Sequence, residues 1–253
     1  MHYQAALTDV CYRYDGSFAG FLCCVFESYR CREIPGAITP PDQGQLGMFE
    51  SREIQTESVV ARRVANGLHR LGAAVEEIVT SGFLADTPGK ELILLRFLRL
   101  GFEKGPSVAR MLGDADVAAA FALARTVRNE AGKYLEFLRF EQREGMLGAV
   151  VHPHHAVLPL LRGHFCGRLP DENFMIYDAT HGMALMQKDG QVQYLRMQRY
   201  APAPEALDED EKAWRALWKR FFEAVTIEER RNERCQRTHA PKRYWQDMCE
   251  MAP

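Results

Sequence analysis

The sequence lacks a cysteine framework. Seven cysteines are scattered along 253 residues without a CxxC pair, and an odd number cannot all pair within one chain. Buried or unreactive thiols in a reducing cytosol are the simplest interpretation. The seven are Cys11, Cys23, Cys24, Cys31, Cys166, Cys235 and Cys249.

Long apolar runs and a strong charge bias are also missing. The first residues show no basic segment leading into an apolar stretch, so no secretory signal is visible. Runs such as LILLRFLRLGF are interrupted by arginine and fall short of the roughly 20 residues that span a bilayer. With 32 Lys and Arg against 34 Asp and Glu, the formal net charge is −2. We therefore expect a cytoplasmic protein without a membrane partner, carrying at most a local basic patch.

Several signatures of catalysis are absent. The sequence contains no P-loop, no GxGxxG, no HExxH and no GxSxG, and we predict no cofactor. Hydrophobic residues nevertheless make up 47% of the chain, which is enough apolar surface to exclude a disordered protein.

Residues before about 130 are predicted to be mainly helical. Ser17 is a plausible N-cap, and apolar residues then recur at helical spacing. The Pro- and Gly-containing stretch 33–53 is predicted to be a long loop. The predicted elements are a strand at 8–14 and helices at 18–29, 60–78, 90–102 and 116–133.

The pattern changes near Tyr134. A hairpin, a helix at 157–169 and three short strands predict a small antiparallel sheet within roughly 134–200, followed by an amphipathic helix at 206–224. The fold class is therefore α+β. We expect a single domain over 1–253, either undivided or divided into a helical portion 1–130 and an α+β portion 131–253.

Titratable residues cluster in the second half. The histidines could bind a metal, act as acid and base, or form local hydrogen bonds. No carboxylate or cysteine lies at ligand-like spacing, so we predict no metal site. Asp178 follows an apolar run and either places a carboxylate at a strand end or opens a turn. The histidines concerned are His152, His154, His155, His164 and His181.

Basic residues form two groups, one on the helix before residue 134 and the hairpin behind it, and one near the C-terminus. Segment 228–245 carries six Lys and Arg against three acids, and it ends in Tyr244 and Trp245. Guanidinium groups suit phosphate oxygens, and exposed aromatic rings can stack on bases. The alternative is a solvated helix face with the aromatic pair docking the tail. The candidate nucleic-acid-binding residues are Arg128, Arg139, Arg230, Arg231, Arg234, Arg243, Tyr244 and Trp245.

Five segments together resemble a known family. They are YDGSFAGFLCCVFESY, LLRFLRLGF, VRNEAGKYLEFLRFE, VLPLLRGHFCGRLPDENFMIYD and TIEERRNERCQRTHAPKRYWQDM. The sequence is similar to bacterial proteins described as probable DNA metabolism or repair proteins, which carry a domain of unknown function. That domain also occurs fused to uracil-DNA glycosylase-like domains and is encoded beside a putative DNA-modification radical-SAM protein.

The resemblance implies a link to DNA repair but transfers no reaction. The chain lacks the GQDPYH-like motif of the glycosylases and the CxxxCxxC cluster of radical-SAM enzymes. The first hypothesis is an accessory protein that binds DNA, or a radical-SAM or uracil-DNA glycosylase-like partner. The second is an enzyme acting on a nucleobase or nucleotide, with His164, Asp178 and Glu130 as acid–base candidates and Arg139 as an anion clamp. A protein-binding scaffold with an exposed apolar patch is the third.

Overall fold

The computed structural model describes residues 6–41, 50–143, 145–198, 209–227, 229, 232–248 and 251. The chain divides into two compact units, Met1–Val127 and Arg128–Pro253. We call them unit 1 and unit 2. The α+β class predicted from the sequence is confirmed by the mixture of helices and small sheets.

In the described residues, unit 1 has three parallel strands, five α-helices and one 3₁₀ helix, and the last α-helix continues into unit 2. The strands have the order β2-β1-β3. In chain order the elements are β1 (Ala6–Arg13), α1 (Phe18–Arg30), β2 (Glu33–Thr39), β3 (Glu50–Glu53), α2 (Ser58–Arg70), α3 (Ala73–Phe83), α4 (Lys90–Lys104), a 3₁₀ helix (Gly105–Arg110) and α5 (Ala115–Phe137).

Ser17 caps α1 as predicted, because its side chain accepts the backbone N–H of Gly20 at 2.9 Å. The predicted loop at 33–53 is wrong at both ends, where β2 and β3 pair in parallel with β1. Pro35 signalled a loop, but β2 is an edge strand, and an edge strand tolerates a residue without an N–H donor. The predicted helix at 60–78 is two helices, since Gly72 lies between them with φ of 94°.

The core of unit 1 is apolar. Tyr12, Phe21, Phe97 and Leu94 are all fully buried between the sheet and the helices. Phe18, Phe21 and Phe83 form a cluster with ring centroids 5.1 to 6.3 Å apart. Burial of such side chains is the main stabilising contribution of this unit.

Unit 2 contains a five-stranded sheet of order β4-β5-β6-β7-β8. Its elements are β4 (Glu141–Arg143), β5 (Met146–Val151), α6 (Leu158–Arg168), β6 (Phe174–Asp178), β7 (Met183–Lys188), β8 (Gln191–Arg196), α7 (Glu209–Val225), α8 (Glu233–His239) and a 3₁₀ helix (Lys242–Asp247).

The small antiparallel sheet predicted within roughly 134–200 contains one parallel pair of strands. Strands β5 and β6 are parallel, with Val151 paired to Asp178, because α6 carries the chain back across the sheet between them. Phe165 on α6 packs with Phe140, whose ring also contacts Phe174 of β6. The carboxyl ends of β5 and β6 therefore open at one edge of the sheet.

Helix α7 begins within the predicted range, and residues 206–208 lie outside the described residues. Its apolar side chains are exposed, including Trp214, Leu217, Phe221 and Val225. Within the described residues, no helix combines the length and apolar character that crossing a membrane requires.

Candidate functional site

A buried carboxylate on α5 holds the loop that follows β5. Glu130 is 2% exposed and lies on the inner face of the helix with Val127 and Tyr134. Its Oε1 accepts the backbone N–H of His154 at 3.1 Å, and its Oε2 accepts that of His155 at 2.7 Å. Two backbone donors offset much of the cost of burying the carboxylate. The shape of the loop thus depends on one α5 side chain.

Arg243 approaches the same carboxylate from the solvent side. Its Nη2 lies 3.6 Å from Glu130 Oε1, and its side chain is 60% exposed. The guanidinium also donates to the Tyr244 hydroxyl at 2.6 Å and lies 4.7 Å from the centre of that ring. Because a guanidinium has five N–H donors, Arg243 keeps donors for an anion outside the protein.

A second carboxylate, Asp247, holds the imidazole of His152. Asp247 Oδ1 lies 2.7 Å from His152 Nδ1, and Oδ2 accepts the backbone N–H of His152 at 3.2 Å and the Tyr134 hydroxyl at 3.3 Å. The Asp247 side chain is 8% exposed, whereas that of His152 is 42% exposed. A carboxylate accepts, so Nδ1 donates the proton, and Nε2 is the ring nitrogen that Asp247 does not occupy.

Two tyrosine rings form the floor beneath these groups. Tyr134 and Tyr244 pack edge to face with centroids 5.3 Å apart. Burial raises the pKa of Tyr134, and the nearby Asp247 and Glu130 charges raise it further, so the phenol stays neutral and donates. The cavity beside the two rings holds only about 10 Å³, roughly one water. A ligand at this site therefore binds on the surface.

The exposed His, Lys and Arg side chains of the loop after β5 and of the C-terminal 3₁₀ helix are what we call the His152–Arg243 face. Its members are His152, His154, Lys242 and Arg243, all of them exposed. Lys242 Nζ lies 5.7 Å from the Trp245 ring centre. Exposed Lys and Arg side chains can bind phosphate or carboxylate oxygens through charge-assisted hydrogen bonds.

A second carboxylate–imidazole pair lies at the end of the neighbouring strand. Asp178 is 1% exposed, and its Oδ1 accepts the backbone N–H groups of Thr180 and His181 at 3.0 Å each. Its Oδ2 lies 2.7 Å from His181 Nδ1. Asp178 thus both opens the turn and orients an imidazole that is 25% exposed.

Unit 1 has a separate polar pocket of about 400 Å³ between α1, β3 and α2. Glu27 and Glu53 line it, but each already binds an arginine of the same unit. Arg30 donates twice to Glu27 at 2.7 Å, and Arg13 lies 3.3 Å from Glu53. These charges are compensated within the fold, so the pocket offers less for a ligand than the His152–Arg243 face.

Comparison with known proteins gives one match. A family model described as a domain of unknown function, DUF4130, matches residues 88–250. The chain belongs to this family. No curated protein and no solved structure shows a significant match to the sequence. Both carboxylate–imidazole pairs and the whole His152–Arg243 face lie inside the DUF4130 region.

The arginines predicted to bind nucleic acid occupy different places in the DUF4130 region. Arg128 is exposed on α5, two residues before Glu130, and Arg234 is exposed on α8. Arg139 is half-buried and its guanidinium lies 5.4 Å from the Trp218 ring centre. Arg230 and Arg231 lie outside the described residues.

The two predicted stacking residues are largely occupied within the fold. Tyr244 is 3% exposed against Tyr134. Trp245 is half-buried, and its indole N–H donates to the carbonyl of Ala240 at 2.8 Å. These contacts agree with the alternative interpretation, in which the aromatic pair docks the tail. Stacking by Tyr244 on a base is therefore incompatible with this arrangement.

The four acid–base candidates have separate partners. Glu130 binds the loop after β5, Asp178 binds its own turn, and Arg139 contacts Trp218. His164 is exposed on α6, with its ring 5.0 Å from that of Phe165. Among the described residues, no group of three or more His, Cys, Asp and Glu side chains is arranged to hold a metal ion.

Asp247 is the residue that sequence reasoning missed. It lies 95 positions from His152, so no local motif joins the two. The available signal was its place two residues after Trp245, at the end of the Arg-rich segment that the family resemblance had already selected.

Proposed function

We propose that this DUF4130 protein is an accessory protein of DNA repair or DNA metabolism. It binds nucleic acid through the His152–Arg243 face and acts with a radical-SAM or uracil-DNA glycosylase-type protein. The family resemblance of the five sequence segments supports the link to DNA, and the exposed cations support the binding surface.

One observation carries the proposal. Glu130 fixes the loop at His154 and His155 and also attracts Arg243, so one carboxylate holds the loop after β5 and an exposed guanidinium from the C-terminal segment. Residues 232–248 add four Lys and Arg against two acids, Glu233 and Asp247, and the Asp247 side chain is buried. The outer surface of this segment is consequently positive, although the whole chain has a net charge of −2. A localised phosphate site needs only such a patch.

The test is binding of labelled single-stranded, duplex and uracil-containing DNA at two salt concentrations. The variant combines Lys242→Ala with Arg243→Ala. We expect weaker binding to every sequence, and a salt dependence that falls by about 0.9 in logarithmic slope for each phosphate that the variant no longer neutralises.

A matched control removes the same charge from unit 1. Arg70 and Lys104 are exposed there, and Arg70→Ala with Lys104→Ala should leave affinity and salt slope unchanged. Circular dichroism verifies that both double variants are folded. Equal binding by wild type and the Lys242–Arg243 variant would refute the proposed surface, and no DNA binding by wild type would refute the proposed function.

A protein-binding role is the second candidate, and α7 favours it. Trp214 is 61% exposed, and Leu217, Phe221 and Val225 are each more than half exposed. Their spacing places them along one side of the helix. Contiguous apolar side chains on a surface mark interaction sites.

Tryptophan fluorescence can test the α7 surface directly. The chain has three tryptophans, and Trp245→Phe leaves only the two on α7. Titration with a purified uracil-DNA glycosylase or radical-SAM protein should then shift the emission to shorter wavelength. An unchanged spectrum with both proteins would remove the support for this role.

A further inference from the structure

The pairing of His152 with Asp247 goes beyond what binding requires. We infer that His152 is a catalytic residue that transfers protons in the hydrolysis of a nucleic-acid phosphate ester held at Arg243. This inference rests on the proposed binding of nucleic acid and assigns a reaction to the same surface.

The first argument is the orientation of the imidazole. Asp247 receives both the backbone N–H and the Nδ1 proton of His152, at 3.2 and 2.7 Å. When the ring is neutral, this bond to Nδ1 leaves the lone pair on Nε2. A carboxylate in this position also stabilises the imidazolium that forms once Nε2 has taken a proton.

The second argument is the setting of the carboxylate. Asp247 is nearly buried, and the neutral Tyr134 phenol donates to it at 3.3 Å. Tyr134 in turn packs against Tyr244, which is fixed by Arg243. The orienting carboxylate is thus anchored from α5 and from the C-terminal 3₁₀ helix, while the imidazole it holds remains 42% exposed.

The third argument concerns the substrate. Arg243 is linked to this imidazole through the contacts of Tyr244 with Tyr134 and of Tyr134 with Asp247. A guanidinium suits the charge of a phosphate ester, which increases during attack. Among the described contacts of His152 there is no hydroxyl or thiol that could serve as a nucleophile. Water is therefore the attacking group, as in a direct hydrolysis.

The step balances with these groups and solvent water. Nε2 of His152 removes one proton from water as the water oxygen forms a bond to phosphorus. The phosphorus–oxygen bond to the leaving nucleoside breaks on the opposite side of the phosphorus. The departing oxygen takes a proton from solvent water, and the imidazolium releases its proton to solvent. The products are a phosphate end and a hydroxyl end, and the imidazole is again neutral.

The experiment measures cleavage of labelled DNA and RNA oligonucleotides and release of inorganic phosphate from oligonucleotides with terminal phosphates. The first readout reports on internal phosphodiesters and the second on terminal esters. We expect wild type to act on one of them. His152→Gln should lower kcat by about 10²- to 10⁴-fold with little change in KM, because Gln keeps a donor for Asp247.

A matched control comes from unit 1. His69 forms a similar contact with Glu76 at 3.0 Å, but its side chain is 81% exposed, and His69→Gln should retain full activity. Asp247→Asn should lower kcat at least about tenfold by disturbing the orientation of the ring. Both variants are purified by the same procedure as wild type, so a contaminating nuclease would appear equally in all.

The outcomes separate the two proposals. Nucleic acid bound without cleavage overturns the catalytic inference and leaves the proposed function standing. Equal cleavage by wild type and His152→Gln also overturns it. Absence of both binding and cleavage refutes the proposed function, whereas cleavage abolished in His152→Gln with binding retained supports both.

Discussion

Unit 1 and unit 2 both bury aromatic side chains, but they differ in the rings that are most exposed. Unit 1 buries Tyr12, Phe21 and Phe97 completely, whereas α7 of unit 2 exposes Trp214 and Phe221 by more than half. A buried ring stabilises its own fold, and an exposed one is available to another molecule. Among the described residues, the aromatic rings that are more than half exposed lie on α7 of unit 2.

The two units also differ in how their buried carboxylates are hydrogen-bonded. Glu91 of unit 1 is 1% exposed and accepts only the Tyr14 hydroxyl at 2.9 Å, while its Oε2 lacks a hydrogen-bond partner among the described residues. Glu130 of unit 2 binds backbone N–H groups with both oxygens. Burial of Glu91 therefore lowers the free energy of unfolding of unit 1, and the apolar core offsets this loss. Glu130, in contrast, organises a loop.

The largest effect is expected in the core of unit 1. Phe97→Ala should lower the free energy of unfolding by about 3–5 kcal/mol, because it removes a fully buried ring and leaves a cavity. Urea denaturation followed by circular dichroism measures the loss. Leu112 is 58% exposed, so Leu112→Ala is the control, and similar losses in the two variants would contradict the apolar-core account.

The next effect concerns the carboxylate that organises unit 2. Glu130→Ala leaves two loop N–H groups without their acceptor and Arg243 without its ion-pair partner, and should cost about 2–4 kcal/mol. The unfolding of unit 2 can be followed by tryptophan fluorescence, since all three tryptophans lie there. Glu136→Ala removes an exposed carboxylate of the same helix as a control. A loss below about 1 kcal/mol would show that the loop holds its shape without Glu130.

A pH dependence should distinguish the two buried carboxylates. Burial raises the pKa of Glu91 above its ordinary value of about 4.5, although Lys90 and the Tyr14 hydroxyl oppose the shift. Folded unit 1 then holds a proton that the unfolded chain releases. This contribution to stability is fully present below the pKa that Glu91 has in the unfolded chain. It is lost as the pH rises through the higher pKa that Glu91 has in the folded protein.

Above pH 4.5, the free energy of unfolding of unit 1 should therefore decrease less with rising pH in Glu91→Gln than in wild type. Urea denaturation at several pH values, with Glu103→Gln as the exposed control, measures the change. Identical pH profiles for wild type and Glu91→Gln would mean that Glu91 is ionised in the fold.

The smallest effect is expected on α7. Leu217 is 55% exposed, so Leu217→Gln should change the free energy of unfolding by no more than about 0.5 kcal/mol. A loss above 1 kcal/mol in urea denaturation would show that the α7 face is covered by the protein itself, and would weaken the contrast between the units.

Local patterns predicted much of this molecule. Apolar spacing identified the helices, Ser17 was recognised as an N-cap, and the α+β class followed from the change of pattern near Tyr134. Strand β3, Glu50–Glu53, contains no apolar residue and was missed, because its only strand signal is pairing with β1. The apolar face of α7 was visible in the sequence, but its exposure was not.

The candidate site was likewise predicted in part from the sequence. Glu130, Arg243 and Tyr244 were selected from the sequence, but their mutual contacts were not. The burial of Tyr244, the attachment of His152 to Asp247 across 95 positions and the parallel pairing of β5 with β6 were decided by the tertiary structure. Helical periodicity and capping are encoded within a few residues, so the sequence alone determined them. The packing of helices and strands decides which distant side chain donates a hydrogen bond to a buried carboxylate. Residues brought together in this way are far apart in the sequence, so no local pattern predicts the contact.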